Sequence, residues 1–86
     1  MFFITLVKWK QAPKKEQVAQ GTKALEELEK QGIKIQHFFT LGRYDAVVIT
    51  EAPSEKDVMK MFIPWQDILT SETLTAVPRE EAIKLL

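Results

Sequence analysis

The sequence predicts an α+β domain in which helices cover one face of a four-stranded antiparallel sheet. Segments rich in β-branched and aromatic residues alternate with segments of helical periodicity, in the order β-α-β-β-α-β. The first and third strand segments are apolar on both faces, as expected for strands at the centre of a sheet. The chain has 86 residues, enough for a single domain that spans residues 1–86.

The amino-terminal half contains the first strand, the first helix and the second strand. Residues 2–9 (FFITLVKW) have the composition of a strand. A helix is predicted over residues 13–31, with Pro13 at its first position. Its apolar residues recur at helical spacing: Val18, Ala24, Leu25 and Leu28. Gly32 is placed to end this helix in a left-handed conformation, and residues 33–41 (IKIQHFFTL) form the second strand.

A tight hairpin is predicted between the second and third strands. The third strand covers residues 44–52 (YDAVVITEA), so only Gly42 and Arg43 separate it from the second. A two-residue connection with glycine first is typical of a type II′ turn.

The carboxyl-terminal part completes the predicted order with a second helix and a fourth strand. Ser54 and Asp57 form a capping box for the helix, and Pro64 ends or kinks it. The apolar side of this helix consists of Val58, Met59, Met61 and Phe62. A fourth strand covers residues 69–77, and Pro78 begins a short terminal helix. The β-α-β-β-α-β order followed by a tail helix is the ferredoxin-like plan.

Two helices cover only one face of such a sheet, which leaves an apolar face without a cover. In the central strands two apolar sets alternate: Phe2, Ile4 and Leu6 against Phe3, Val7 and Trp9, and Tyr44, Ala46 and Val48 against Asp45, Val47 and Ile49. Because soluble monomers rarely expose a large apolar patch, the expected cover is the same face of a second copy in a two-fold homodimer. The alternative is that the terminal helix folds across this face.

Composition argues against several classes of function. Twelve basic residues balance twelve acidic ones, whereas nucleic-acid binding requires a basic surface. No apolar run approaches the length of a membrane span, and the amino terminus lacks the pattern of a signal peptide. The chain has no cysteine, so no thiolate metal site is expected. These features predict a cytoplasmic protein with no cofactor, no nucleic-acid partner and no membrane partner.

Four segments give the chain a family resemblance. GRYD at residues 42–45, EAP at 51–53, ITLVKW at 4–9 and SETLTA at 71–76 together resemble the GYD-domain family. The resemblance implies a small prokaryotic protein with a ferredoxin-like, dimeric α/β-barrel architecture, and it implies no particular activity. The turn is also similar to one in the ligand-sensing domain of Lrp/AsnC-type regulators, which bind amino acids between subunits. Because 86 residues leave no room for their helix-turn-helix, this similarity favours a stand-alone sensor over a complete repressor.

The GRYD segment contains the first candidate site residues. A carboxylate on an apolar strand face must be hydrogen-bonded, paired or open to water, and Asp45 is in this position. In the structural interpretation Asp45 stabilises the hairpin or pairs with Arg43 or a lysine. In the functional interpretation Arg43, Tyr44 and Asp45 line a cleft between subunits and bind a small polar metabolite. Arg43 then supplies a bidentate fork for a carboxylate or phosphate.

His37 and Trp9 complete the candidate site. His37 is the only histidine, so it forms no metal site alone, although its pKa near neutrality suits a general base. The alternative is a structural histidine at the subunit interface. Trp9 and Phe39 either cap an apolar pocket or belong to the interface core. Four lysines at the end of the first strand and the start of the first helix either hold a phosphate or are solvated: Lys8, Lys10, Lys14 and Lys15.

Two functions follow from these candidates. The first is a homodimeric module that binds a small ligand, or has a regulatory role, through a cleft between its subunits. The alternative is a small cofactor-independent oxygenase or isomerase, in which His37 or Asp45 acts as the base.

Overall fold

A computed structural model describes residues 1–86 and contains a four-stranded antiparallel sheet and three helices. The elements are β1 (Phe2–Trp9), α1 (Lys15–Lys30), β2 (Lys34–Phe39), β3 (Ala46–Glu51), α2 (Glu55–Phe62), β4 (Leu69–Ala76) and α3 (Arg79–Ile83). One turn of 3-10 helix, Ile63–Trp65, follows α2. None of the helices is both long and apolar enough to cross a membrane.

The strand order is β2-β3-β1-β4, and every neighbouring pair is antiparallel. The predicted α+β class and the central positions of the first and third strands are therefore confirmed. The order is that of a ferredoxin-like sheet, in which each central strand pairs on both of its edges.

The core lies between the sheet and the helices. In β1 burial alternates along the strand, and Phe3, Thr5 and Val7 are buried on the side that faces the helices. Val58 and Met61 of α2 pack into the same core. The Thr5 hydroxyl forms a hydrogen bond of 2.9 Å with the Thr73 hydroxyl of β4, so this buried polar group is satisfied.

The first helix begins later than predicted and ends at Lys30, one residue earlier than predicted, with Gln31 as its cap. It begins at Lys15 rather than Pro13, because the Lys14 backbone N–H donates to Gln17 Oε1 at 2.8 Å and makes Lys14 the cap. At the other end Gly32 has a φ of +92°. The Gly32 and Ile33 amides donate to the carbonyl groups of Glu29 and Leu28, which is the Schellman arrangement that glycine favours.

The second helix has the predicted limits. The Asp57 carboxylate accepts hydrogen bonds from the backbone N–H and the hydroxyl of Ser54, both at 3.2 Å, which confirms the capping box. Pro64 lies in the 3-10 turn and ends the helix. At the terminal helix Pro78 is the cap residue, one position before the first helical residue.

The predicted two-residue turn at Gly42 and Arg43 is wrong. The strands end at Phe39 and begin again at Ala46, so a six-residue loop over residues 40–45 joins them. Thr40 holds this loop, because its hydroxyl donates to the Tyr44 carbonyl at 2.7 Å and its amide donates to the Asp45 carbonyl at 3.0 Å. Gly42 keeps the predicted positive φ, at +108°.

One face of the sheet is open. Ile4 pairs with Ile49 on one side and Leu74 on the other, and Leu6 pairs with Val47. These side chains point away from the helices, and Leu74 is 46% exposed. The terminal helix α3 makes no extensive contact with any other element and does not cover this face.

Candidate functional site

A cavity of about 550 Å³ lies between α1, α2 and the helix-side face of the sheet. Its walls are mostly apolar, with Val18 and Leu25 from α1, Met61 and Phe62 from α2, and Val48 from β3. Trp65, Ile68 and Leu69 close it on the side of the 3-10 turn and β4. Ligand pockets of proteins typically have about 300–1,000 Å³ and an apolar lining, so this cavity suits a small molecule.

The sequence of α1 explains why the cavity exists. No residue of α1 is buried, although Leu25 and Leu28 pack against the core near the carboxyl end of the helix. Gly21 and Ala24 occupy the middle of the stripe that faces the sheet. A Cβ atom added at Gly21 would meet no atom within 4 Å. The helix therefore contacts the core at one end, while small side chains leave space beneath its middle.

One end of the cavity is lined by three ring systems. The Trp9 and Phe39 rings have centroids 6.3 Å apart and an interplanar angle of 89°. The His37 and Phe39 rings are 5.3 Å apart at 80°. Both are edge-to-face arrangements, which aromatic pairs favour. His37 and Phe39 lie on the edge strand β2, so their rings line the cavity and also contact solvent.

His37 is a hydrogen-bond acceptor in the cavity wall that has no partner in the chain, and Lys60, a donor, also lacks one. Among the other polar lining residues, Gln17 accepts from the Lys14 amide, Thr22 donates to the Val18 carbonyl and Glu27 pairs with Lys30 at 4.0 Å. Neither ring nitrogen of His37 has a hydrogen-bond partner in the chain. Desolvation by the surrounding side chains lowers the pKa of His37 below its ordinary value of 6.5. The imidazole is therefore mainly neutral at pH 7 and can accept a hydrogen bond.

Asp45 has a hydrogen-bonding role in the sheet. Its carboxylate accepts from the Trp9 backbone N–H at 2.8 Å, and its own amide donates to the Val7 carbonyl at 2.8 Å. These bonds tie the loop to the end of β1, next to the cavity residue Trp9. The geometry agrees with the structural interpretation of Asp45 as a hydrogen-bonded carboxylate, with β1 as its partner instead of Arg43 or a lysine.

Arg43 is exposed and Tyr44 is half-buried on the loop over residues 40–45, and neither residue lines the cavity. The Arg43 guanidinium carbon is 5.9 Å from the centre of the Tyr44 ring, a cation–π distance. No carboxylate lies within ion-pair distance of Arg43. Its guanidinium therefore remains available to an anionic group from outside the chain.

The structure divides the predicted site residues into two groups. Trp9 and His37 both line the cavity, whereas Arg43 and Tyr44 lie on the loop, and Asp45 connects the two groups through the Trp9 amide. No group of three His, Asp or Glu side chains is arranged to hold a metal ion. Among the four lysines, Lys10 donates to the Gln66 carbonyl at 2.6 Å.

Sequence reasoning missed Gly21 and Trp65 as cavity residues. A glycine inside a helical pattern was the available signal for Gly21, because it lowers helix stability and often has a packing or functional reason. Trp65 gives no such signal, since its place depends on how the 3-10 turn folds back to β4.

The sheet order, the helices on one face and the cavity between the two layers define an α+β protein with a ferredoxin-like sheet. The model of the GYD domain family matches residues 3–86, nearly the whole chain. The protein therefore belongs to the GYD domain family. No curated protein matches the chain.

Proposed function

We propose that this GYD-domain protein is a homodimeric module of the dimeric α/β-barrel type that binds a small ligand in the cytoplasm. The cavity is the observation that carries ligand binding. It combines a volume of about 550 Å³ with apolar walls and a few polar side chains, among them His37, whose ring nitrogens have no partner in the chain. Small-molecule sites usually consist of an apolar pocket with a few polar groups.

The open face of the sheet supports the homodimer. Only 12 of the 86 residues are buried in a single chain, so much of the apolar surface remains in contact with water. The row from Ile49 through Ile4 to Leu74 runs across three strands of that face. A second copy that packs with the same face would bury the apolar rows of both chains. In a two-fold interface the same surface patch of each subunit forms the contact.

The loop over residues 40–45 supports a role for Arg43 in holding a polar ligand. Its guanidinium lacks an acidic partner and lies over Tyr44 near the end of β1. A carboxylate or phosphate bound there would form charge-assisted hydrogen bonds with it. Arg43 does not line the cavity, so a polar ligand held by Arg43 would occupy a second site, which we place in the cleft between the subunits of the proposed dimer.

Native mass spectrometry beside a denaturing spectrum tests the proposal. The expected result is a dimer that carries an additional mass, which is lost on denaturation. Thermal-shift screening against a library of polar metabolites then compares the native protein with the Arg43→Ala variant. Arg79→Ala, at the other arginine of the chain, is the matched control. A monomer whose melting temperature no metabolite changes would contradict the proposal. Equal thermal shifts in Arg43→Ala and Arg79→Ala would show that Arg43 does not bind the ligand.

The environment of His37 favours a second candidate function. A neutral imidazole without a protein partner, at the wall of an apolar cavity, has the properties of a general base. This supports a cofactor-independent oxygenase or isomerase that removes a proton from an activated phenol or ketone. Turnover that is lost in a folded His37→Ala variant would support this function. The absence of turnover on any such substrate would contradict it.

A further inference from the structure

We infer that the cavity binds an uncharged, planar aromatic compound that carries one hydroxyl or N–H donor directed at His37. This inference rests on the proposed ligand-binding function, and it names the chemical class of the ligand and the place where it binds. Three properties of the cavity carry it: its aromatic walls, the distribution of its charged groups and the acceptor nitrogen of His37, which has no partner in the chain.

Aromatic side chains surround the space from several elements. Trp9 comes from β1, Phe39 from β2, Phe62 from α2 and Trp65 from the 3-10 turn, and all four line the cavity. Trp9 and Phe39 already meet edge to face at 6.3 Å. A planar aromatic ligand can continue this pattern, and each such pair contributes about 0.5–1.5 kcal/mol beyond the burial of area. A flexible alkyl chain gains no such geometry and loses more conformational entropy on binding.

The charged groups favour an uncharged ligand. Glu27 and Lys60 are the charged residues among those that line the cavity, and both are exposed. Their charges are opposite in sign, so together they attract neither an anion nor a cation into the cavity. Moving an unpaired charge from water into apolar surroundings is costly. A neutral ring system avoids that cost.

The position of His37 defines the one polar contact. Its ring nitrogens have no partner in the chain, and Phe39 packs against it at 5.3 Å. Desolvation keeps the imidazole mainly in its neutral form at pH 7, and a neutral imidazole has one acceptor nitrogen. A hydroxyl or N–H on the ligand can donate to that acceptor in place of water.

A titration with three probes tests the inference. The probes are 2-naphthol, naphthalene, which lacks the donor, and 1-decanol, which lacks the ring. Trp9 and Trp65 are the only two tryptophans of the chain and both line the cavity, so their indole N–H signals in NMR spectra report on binding. The expected result is that 2-naphthol shifts both signals and binds more tightly than either other probe.

Variants at Gly21 locate the binding site. Gly21→Phe fills the cavity from α1, where an added side chain meets open space. The matched control, Gly21→Ala, also raises helix propensity and leaves the cavity mostly empty. We expect Gly21→Phe to abolish the binding of 2-naphthol and Gly21→Ala to retain it. Equal binding by the two variants would overturn the inference, even if the native protein binds the probe.

A variant at His37 tests the polar contact. His37→Phe keeps a ring of similar size and removes the acceptor. We expect the affinity for 2-naphthol to fall about fivefold, the effect of one net hydrogen bond, while the affinity for naphthalene stays unchanged. Equal losses for both probes would assign His37 a packing role only and overturn this part of the inference.

Different results would exclude the aromatic ligand class and the ligand-binding function itself. If 2-naphthol shifts neither indole signal, or 1-decanol binds more tightly, the aromatic ligand class is wrong. A thermal shift with a polar metabolite that disappears in Arg43→Ala would then leave the proposed ligand-binding function standing. If neither the aromatic probes nor the polar metabolites bind, both the inference and the function are wrong.

Discussion

Asp45 acts as a hydrogen-bonding side chain that extends the contact between two strands. The register between β1 and β3 ends at Val7 and Ala46, and beyond it the Asp45 carboxylate binds the Trp9 amide. An amide at this position would otherwise need water as its partner. The same bond sets the backbone of Trp9, whose side chain lines the cavity.

We predict that Asp45→Ala lowers the free energy of unfolding by about 1–2 kcal/mol, because a charge-assisted hydrogen bond is lost at a partly buried position. Urea denaturation at pH 7 measures the change. Asp67→Ala, at an exposed aspartate of the turn before β4, is the control and should change stability by less than about 0.5 kcal/mol. Equal effects of the two substitutions would contradict the role of the Trp9 contact.

His37 makes the stability of the protein depend on pH. Desolvation lowers its pKa in the folded state, so the unfolded chain binds a proton more readily. The contribution of neutral His37 to the free energy of unfolding is therefore complete above its unfolded pKa, about 6.5. Part of this contribution is lost as the pH falls towards the folded pKa. Glu27 from α1 and Lys60 from α2 line the same cavity as His37.

We predict that the difference in free energy of unfolding between the native protein and His37→Phe changes in this window. The native protein should lose stability relative to the variant between pH 7.5 and pH 5.5, because only the native folded state resists protonation at position 37. Urea midpoints at five pH values measure the difference. A difference that is constant, or that changes in the opposite direction, would contradict the desolvated environment of His37.

The glycine inside α1 and the glycine just beyond its end have opposite roles. Gly21 lies inside α1 and has ordinary helical geometry with open space around it. Gly32 lies beyond the end of α1 with a φ of +92°, which side chains disfavour. The same residue type thus weakens the helix at one position and ends it at the other.

We predict that Gly21→Ala raises the free energy of unfolding by about 0.5–1 kcal/mol, the difference in helix propensity. Gly32→Ala should lower it by about 1–2 kcal/mol, because an L-residue is strained in the left-handed conformation. Thermal denaturation monitored by circular dichroism measures both changes, and each variant is the control for the other. If both substitutions shift stability in the same direction, this interpretation of α1 and its cap is wrong.

Element type was predictable from local patterns, whereas the exact ends and the cavity depended on long-range contacts. The capping box at Ser54 and the glycine cap at Gly32 were predictable because each depends on a few neighbouring residues. The loop over residues 40–45 was predicted as a two-residue turn, since the Asp45–Trp9 bond joins residues 36 positions apart and has no local signature. The cavity was likewise hidden, because it results from how α1 packs and not from its periodicity alone.

The whole molecule is a thin two-layer structure. Its extents are 46 × 31 × 18 Å, and its radius of gyration is 13.8 Å. A compact domain of this length has a radius of gyration of about 12 Å. One layer is the sheet and the other is formed by the helices, so one sheet face has no layer against it. The proposed dimer adds that layer, with the two sheets about 10 Å apart.

Ile4 is the residue whose substitution tests this arrangement. It lies at the centre of the open face, between Ile49 and Leu74. A charged side chain there remains hydrated in a monomer but becomes buried without a partner in the dimer, which is strongly unfavourable. Gln20→Glu places the same charge on the exposed surface of α1 and is the control.

Sedimentation velocity of the native protein, Ile4→Glu and Gln20→Glu at micromolar concentration shows whether the open sheet face forms a dimer interface. We predict a species of about 20 kDa, twice the 9.9 kDa of one chain, for the native protein and Gln20→Glu. Ile4→Glu should sediment as a folded monomer. A native protein that sediments as a monomer, or an Ile4→Glu variant that remains a dimer, would contradict the assembly through the open face of the sheet.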